Sequence, residues 1–332
     1  MTLSVALCTY NGAAYLDEQL DSIAQQSRPP DELILCDDGS QDGTIQLAED
    51  WASRSPFPVM IYSGDRNIGA IKNFERAIGS CRGDIIALAD QDDVWRQDKL
   101  ACTEEIFTSA PHVGLVFTDA NVVDETLSPL GYTMWKTRRF GRPERRLMSR
   151  GRATDVLIRR NVVTGATMAF RSRYKELVLP MPDNRVHLHD GWIAYLIAAV
   201  SDIAFIEEPL VQYRQRPGQH TGAHPPTGVK MLMHQAAKNR WSTNLDAQVA
   251  TIEWFILLRL RLVTLRASFP CADTIFDQLD AKIEHCQARL TMPETRVLRA
   301  PFVLRELVSL HYHRYSIGVW AAAKDLTAFS GE

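Results

Sequence analysis

The run Ile85-Ile86-Ala87-Leu88-Ala89 ends abruptly in Asp90-Gln91-Asp92-Asp93. Aliphatic residues without alternation read as a strand buried on both faces, the pattern of a parallel α/β sheet. Carboxylates crowded at the end of such a strand repel one another unless a cation or a hydrogen-bonding ligand sits among them. Open α/β sheets bind ligands beyond the carboxyl ends of their strands, so the position suits the chemistry. A hard divalent ion bridging phosphate oxygens is the economical occupant, and a solvated acidic turn is the plain alternative.

Strand and helix signals alternate through the first hundred residues. Leu3 to Thr9 reads as a strand, followed by the turn Tyr10-Asn11-Gly12 and by Tyr15, Leu16, Leu20 and Ile23 at helical spacing. Glu32 to Cys36 is a second strand ending in Asp37-Asp38-Gly39-Ser40, with Asp42 placed to cap the next helix. Val59 to Tyr62, a helix over Ile71 to Ser80, and a strand from Asp84 to Ala89 continue the alternation. Repeated βα units with short turns predict an α/β fold with a doubly wound, mostly parallel, Rossmann-like sheet. Val113 to Asp119 is a further strand, His189 opens a helix reaching Val200, and Ile203 to Tyr213 makes one or two short strands.

Lys136 to Arg160 carries ten Lys or Arg against Glu144 and Asp155. Such a stretch is either a solvated, mobile loop or a lid guiding an anionic substrate. Past the Pro/Gly-rich Pro217 to Gly228, helical spacing recurs over 229–241, 244–268, 273–290 and 303–328. A boundary near residue 225 therefore separates an α/β domain, 1–225, from a helical subdomain, 226–332, and the first domain divides near residue 120. Within 252–266, Trp254, Phe255, Leu258, Leu262 and Leu265 either pack the subdomain's core or lay a basic helix on an anionic leaflet.

A net charge of −3 excludes a globally basic nucleic-acid binder, so any anion site must be local. The six cysteines lack metal spacing and read as free thiols of a reducing cytoplasm. Met1 to Val5 carries no secretory signal, and no apolar run reaches the roughly 18 residues of a membrane span.

Four patterns then occur in a telling order: Val5-Ala6-Leu7-Cys8-Thr9-Tyr10-Asn11, Leu35-Cys36-Asp37-Asp38-Gly39-Ser40-Gln41-Asp42-Gly43-Thr44, Asp90-Gln91-Asp92-Asp93-Val94-Trp95 and His189-Asp190-Gly191-Trp192. Together they resemble family 2 glycosyltransferases, the inverting sugar-nucleotide enzymes of GT-A fold, over about residues 3–222. The tail, with His313-Arg314-Tyr315 and Lys324-Asp325-Leu326, is similar to bacterial rhamnosyltransferase-type members.

The resemblance implies roles residue by residue. Thr9, Tyr10 and Asn11 lie at the nucleobase, backbone groups on a pyrimidine edge and the Tyr10 ring on its face. Asp38 accepts the N3–H of uracil or thymine, while Asp37 and Asp42 hold turns. Asp90 takes the ribose hydroxyls or reaches the metal through water, and Asp92 binds Mn²⁺ or Mg²⁺ directly. Asp93 either caps the next turn or supports the site. Asp190 is the catalytic base, and His189, where many members carry Glu, is open to a part in acceptor recognition. Tyr213 to His220 resembles the family's YRxH loop with Arg216 in the usual His place. Either His220 supplies a metal ligand or, the reading we favour, Arg216 pairs with phosphate.

The implied reaction is metal-dependent transfer from a nucleotide-diphosphate sugar, dTDP-rhamnose or a UDP-sugar, to a saccharide or polyprenyl-linked saccharide in surface polysaccharide biosynthesis. The implied place is cytoplasmic, with peripheral association at the inner face of an anionic membrane. Two rivals stand beside it. A haloacid dehalogenase-type phosphatase would use Asp37-Asp38-Gly39-Ser40, but its loop should follow the first strand and not the second. A non-catalytic nucleotide-binding assembly module would need none of the acidic chemistry.

Overall fold

Alternation along the first strand assigns the layers. In a computed structural model describing residues 1–184, 186–216, 245–293 and 295–327, β1 (Leu3–Thr9) sends Leu3, Val5 and Leu7 to one face and Ala6 to the other. On the first face they meet Leu16, Leu20 and Ile23 of α1 (Leu16–Ala24) and Trp51 of α2 (Thr44–Ala52). On the second face Ala6 joins Phe74, Ala77 and Ile78 of α3 (Ala70–Ser80). Both faces are dry, which is why the strand reads as apolar throughout.

β1, β2 (Glu32–Asp37), β3 (Val59–Ser63) and β4 (Ile85–Asp90) are parallel in the order β3-β2-β1-β4. β5 (Val94–Trp95), β6 (Val113–Val123), β7 (Pro129–Thr133), β8 (Met168–Arg171) and β9 (Asp202–Arg214) extend the sheet, with β8 antiparallel to both β4 and β6. The expected one or two strands over Ile203 to Tyr213 are the single strand β9, parallel to β6. Register brings the chemistry to one edge: Thr9 lies opposite Asp37, and Cys8 opposite Asp90.

The first of the two readings of Lys136 to Arg160, a solvated, mobile loop, is corrected. The stretch holds three short helices, Met134–Arg138, Arg142–Met148 and Ala153–Leu157, and Phe140, Met148, Val156, Leu157 and Ile158 are buried. Phe140 packs edge-on against Trp135 at 4.8 Å and Phe205 at 5.4 Å, with Phe117 at 5.3 Å. Few but large apolar side chains outweigh many cations whose stems lie along the surface.

The expected helix 303–328 is also broken. Helices Arg296–Val308, His311–Tyr315 and Val319–Thr327 are separated by Leu310 and Gly318, both at positive φ. The boundary near 225, the helix 229–241 and His220 lie outside the described residues.

Helix Leu245–Thr264 settles its two readings in favour of burial. Trp254, Phe255, Leu258 and Leu262 are buried in the same core as Phe74 and Trp192, and Leu265 packs against it. Trp254 stands edge-on to Trp192 at 5.3 Å and stacks on His187 at 4.9 Å. Substituting Trp254→Ala should cost about 3–5 kcal/mol in urea unfolding monitored by circular dichroism. A loss below about 1 kcal/mol would mean that this helix does not share the core.

Candidate active site

The lip of β1 is tied to its neighbours by side chains. Gln91 donates from Nε2 to the Tyr10 carbonyl (3.0 Å) and accepts the Tyr10 amide on Oε1 (2.8 Å). An amide side chain is self-complementary to a backbone N–H and C=O, so Gln91 sews β4 to β1. Gly12 makes this possible, since a Cβ there would stand 2.1 Å from Gln91 Oε1. The Asn11 amide donates to Ser40 Oγ and the Gly12 amide to Thr44 Oγ1. The amides expected to read a pyrimidine edge are therefore committed within the protein, while the Tyr10 ring is exposed.

Asp37 accepts from the Gly39 and Ser40 amides and from the hydroxyls of Thr9 and Ser40. Thr9 is thus a turn brace, and Asp37 has no geometry left for a phosphatase nucleophile. Asp38 is buried and accepts from the Ile68 amide (2.8 Å) and the Gly69 amide (2.9 Å), one on each oxygen. Asp42 holds the turn before α2, accepting from the Thr44 and Ala13 amides.

The acidic centre gathers what the chain keeps far apart. Asp90 is pushed up to about 7 by burial, with the charges of Asp92 and Asp190 adding to it. That coupling brings residues a hundred positions apart to one place. Burial pushes Asp93 up as well, with Asp92 and Asp90 reinforcing it. Arg214, 1% exposed, donates from its backbone N–H to Asp93 Oδ1 (3.1 Å) and from Nε to the Asp92 carbonyl (2.8 Å). Its remaining nitrogens reach Glu18 and the Glu125 carbonyl. Arg216 Nε donates to Asp92 Oδ2 at 2.7 Å. All-oxygen, carboxylate-rich donors whose mutual repulsion raises Asp90 fit a hard divalent cation.

Asp190 sits in the first turn of the helix His189–Val200, where a carboxylate is favoured by the helix dipole, and accepts the Gly191 amide at 2.7 Å. It lines a cavity of about 500 Å³ bounded also by Trp254 and Lys324. His189 turns away from that role. It is buried, its ring stacked on Phe74 at 4.1 Å, and a Cβ on Gly165 would come within 2.7 Å of its Nε2. Burial lowers its pKa, so it packs as a neutral ring and does not form the acceptor surface.

Comparison with known proteins supplies the family. Residues 4–174 match the model of glycosyl transferase family 2. The chain belongs to this family, and it is a glycosyltransferase. A dTDP-rhamnosyl transferase, RfbG, of Shigella flexneri is 36% identical to the transferase over 98 residues, 28% of this chain and 34% of that one. An uncharacterized glycosyltransferase of Nostoc sp. is 26% identical over 219 residues, 64% of this chain and 65% of the relative. Among solved structures, S. aureus TarS 1-349 in complex with UDP-GlcNAc covers 98% of this chain, 88% of that chain being matched, at TM-score 0.59 and 18% identity. That likeness shows the GT-A fold expected from the motifs.

Sequence reasoning on the transferase passed over Gln91, Arg214 and His187. The signal for Arg214 was available: an arginine inside an apolar strand end requires buried acceptors. Asp90 generates a prediction with a definite sign. A carboxyl held near 7 is protonated below that pH, so a divalent ion must displace its proton. Apparent Mn²⁺ affinity, measured by calorimetry, should fall about tenfold from about pH 6 to about pH 5, and the Asp90→Asn variant should lose most of this slope. A pH-independent affinity over that range would exclude Asp90 from the ion's surroundings.

Proposed function

We propose that the transferase is a metal-dependent, inverting enzyme that moves a sugar from a nucleoside-diphosphate donor to a saccharide or polyprenyl-linked saccharide in surface polysaccharide assembly. The observation carrying this reading is that Asp92, ion-paired with Arg216 at 2.7 Å, and Asp190, on the wall of the cavity, both lie within charge range of Asp90. It supports a single cleft in which leaving group and acceptor meet. Asp92, with Asp90 beside it, would hold Mn²⁺ or Mg²⁺, which supplies charge neutralisation at the diphosphate.

The chain's own groups do the rest. The Tyr10 ring covers the base, and Asp38, with lone pairs beyond those given to Ile68 and Gly69, accepts its N3–H. Asp190 takes the proton of the acceptor hydroxyl as that oxygen bonds to the anomeric carbon. The bond from that carbon to the diphosphate breaks on the opposite face, and the nucleoside diphosphate leaves with the electron pair. Arg216, paired with Asp92 in the free protein, has the planar donor geometry that would also suit the diphosphate. A dTDP-rhamnose donor is favoured by the name of the Shigella relative, and a UDP-sugar by the UDP-GlcNAc bound to TarS.

Peripheral contact with an anionic membrane completes the reading. Among the described residues no helix is long and apolar enough to cross a membrane. Val297, Leu298, Val308, Val319 and Trp320 are nonetheless exposed, with Arg305 and Arg314 among them.

The Asp190→Asn variant should bind donor and Mn²⁺ as wild type does, while transfer to acceptor falls about 100- to 10,000-fold. Donor binding by calorimetry and transfer by product analysis separate the two effects. Undiminished transfer would remove Asp190 as the base.

A further inference from the structure

Resting on that reading, we infer that the cavity beside Asp190 binds an acceptor carrying an oxyanion, a phosphate ester or sugar carboxylate, next to the hydroxyl to be glycosylated. Its wall carries Arg138, Arg159, Arg160, Lys282, Arg289 and Lys324 against the acids Asp190 and Asp325. Three of the cations are spoken for. Arg160 donates to Glu144 at 2.9 Å, Arg289 is bidentate to Asp325 at 2.7 and 2.9 Å, and Lys282 donates to the Tyr315 carbonyl. Arg138, Arg159 and Lys324 have no acceptor for their charged groups among the described residues.

A second, independent observation concerns hydrogen bonding. Arg159 Nε is buried without an acceptor, and Nε2 of His187, whose ring stacks on Trp254 in the same wall, is buried without a hydrogen-bond partner. Burial lowers the His187 pKa to about 4, so its ring is neutral and adds no charge of its own. Buried polar atoms left unsatisfied cost about 1–3 kcal/mol each, more when charged. A neutral sugar would supply hydroxyls but leave the surplus positive charge uncompensated. An oxyanion answers both deficits with charge-assisted bonds. The cavity's volume of about 500 Å³ suits a sugar bearing such a group, with Trp254 and Leu258 as the apolar wall.

The preference can be read without knowing which sugar the enzyme uses. Wild-type protein saturated with Mn²⁺ and UDP or dTDP, so that the donor site is blocked, is titrated calorimetrically with methyl hexosides and 6-deoxyhexosides. It is then titrated with the matching glycosyl 1-phosphates and uronates. The best anionic probe should bind at least about tenfold more tightly than its neutral counterpart. Preference for the phosphates points to a phosphoryl-linked acceptor, and preference for the uronates to an acidic sugar.

Lys324→Gln, on a half-exposed position, should weaken the anionic probe about threefold, and Arg159→Met/Lys324→Gln about tenfold, with nucleotide affinity unchanged. Anionic probes that bind no better than neutral ones, or equally well to both variants, would overturn the inference. Failure to bind any nucleotide with Mn²⁺ would instead sink the glycosyl-transfer reading and this inference with it.

Discussion

Three carboxylates, the half-buried Asp90 and the buried Asp92 and Asp190, are held close enough for their charges to oppose one another. Removing charge from water and setting like beside like is costly unless a cation stands among them. Arg216 answers part of that cost on Asp92, and Arg214 fastens the backbone beneath. On the proposed reading, this shortfall of positive charge is what would draw in an ion with its diphosphate.

The scaffold makes that placement rigid. β1 and β4 pair in parallel register, Gln91 stitches their tips, and Gly12 leaves room for the stitch. Asp190 arrives from the opposite layer on a helix whose Trp192 and Ile193 are buried in the core, packed there with Phe74 and Trp254. The C-terminal helices thus help position Asp190 and wall the cavity in front of it. Helices α3, His189–Val200 and Leu245–Thr264 are joined through one hydrophobic cluster.

Much of this was legible in the residues. The early strands, α1 to α3 and the acidic lip follow from unbroken aliphatic runs and Asp-Gly turns, whose signals are local. The basic stretch was misread because ten cations dominate composition, whereas Trp135 and Phe140 decide packing through partners such as Phe205 far along the chain. The broken C-terminal helix depends on a positive φ at Leu310, a residue type that gives no warning of it. Gln91 and the inward turn of His189 were invisible for a similar reason: each is defined by what lies opposite it in space. Thr9 and the amides of the Tyr10 turn carried a ligand role in sequence and a bracing role in the fold.

The central claim is that one cation, one diphosphate and one proton acceptor share a cleft. Crystals grown with Mn²⁺ and a nucleoside diphosphate, with anomalous scattering to locate the metal, test it directly. The account predicts Mn²⁺ bonded to Asp92 and to the diphosphate, Arg216 withdrawn from Asp92 onto phosphate, and Asp190 facing the vacated sugar position. Manganese bound elsewhere, or a diphosphate with Asp190 turned to a different surface, would contradict it.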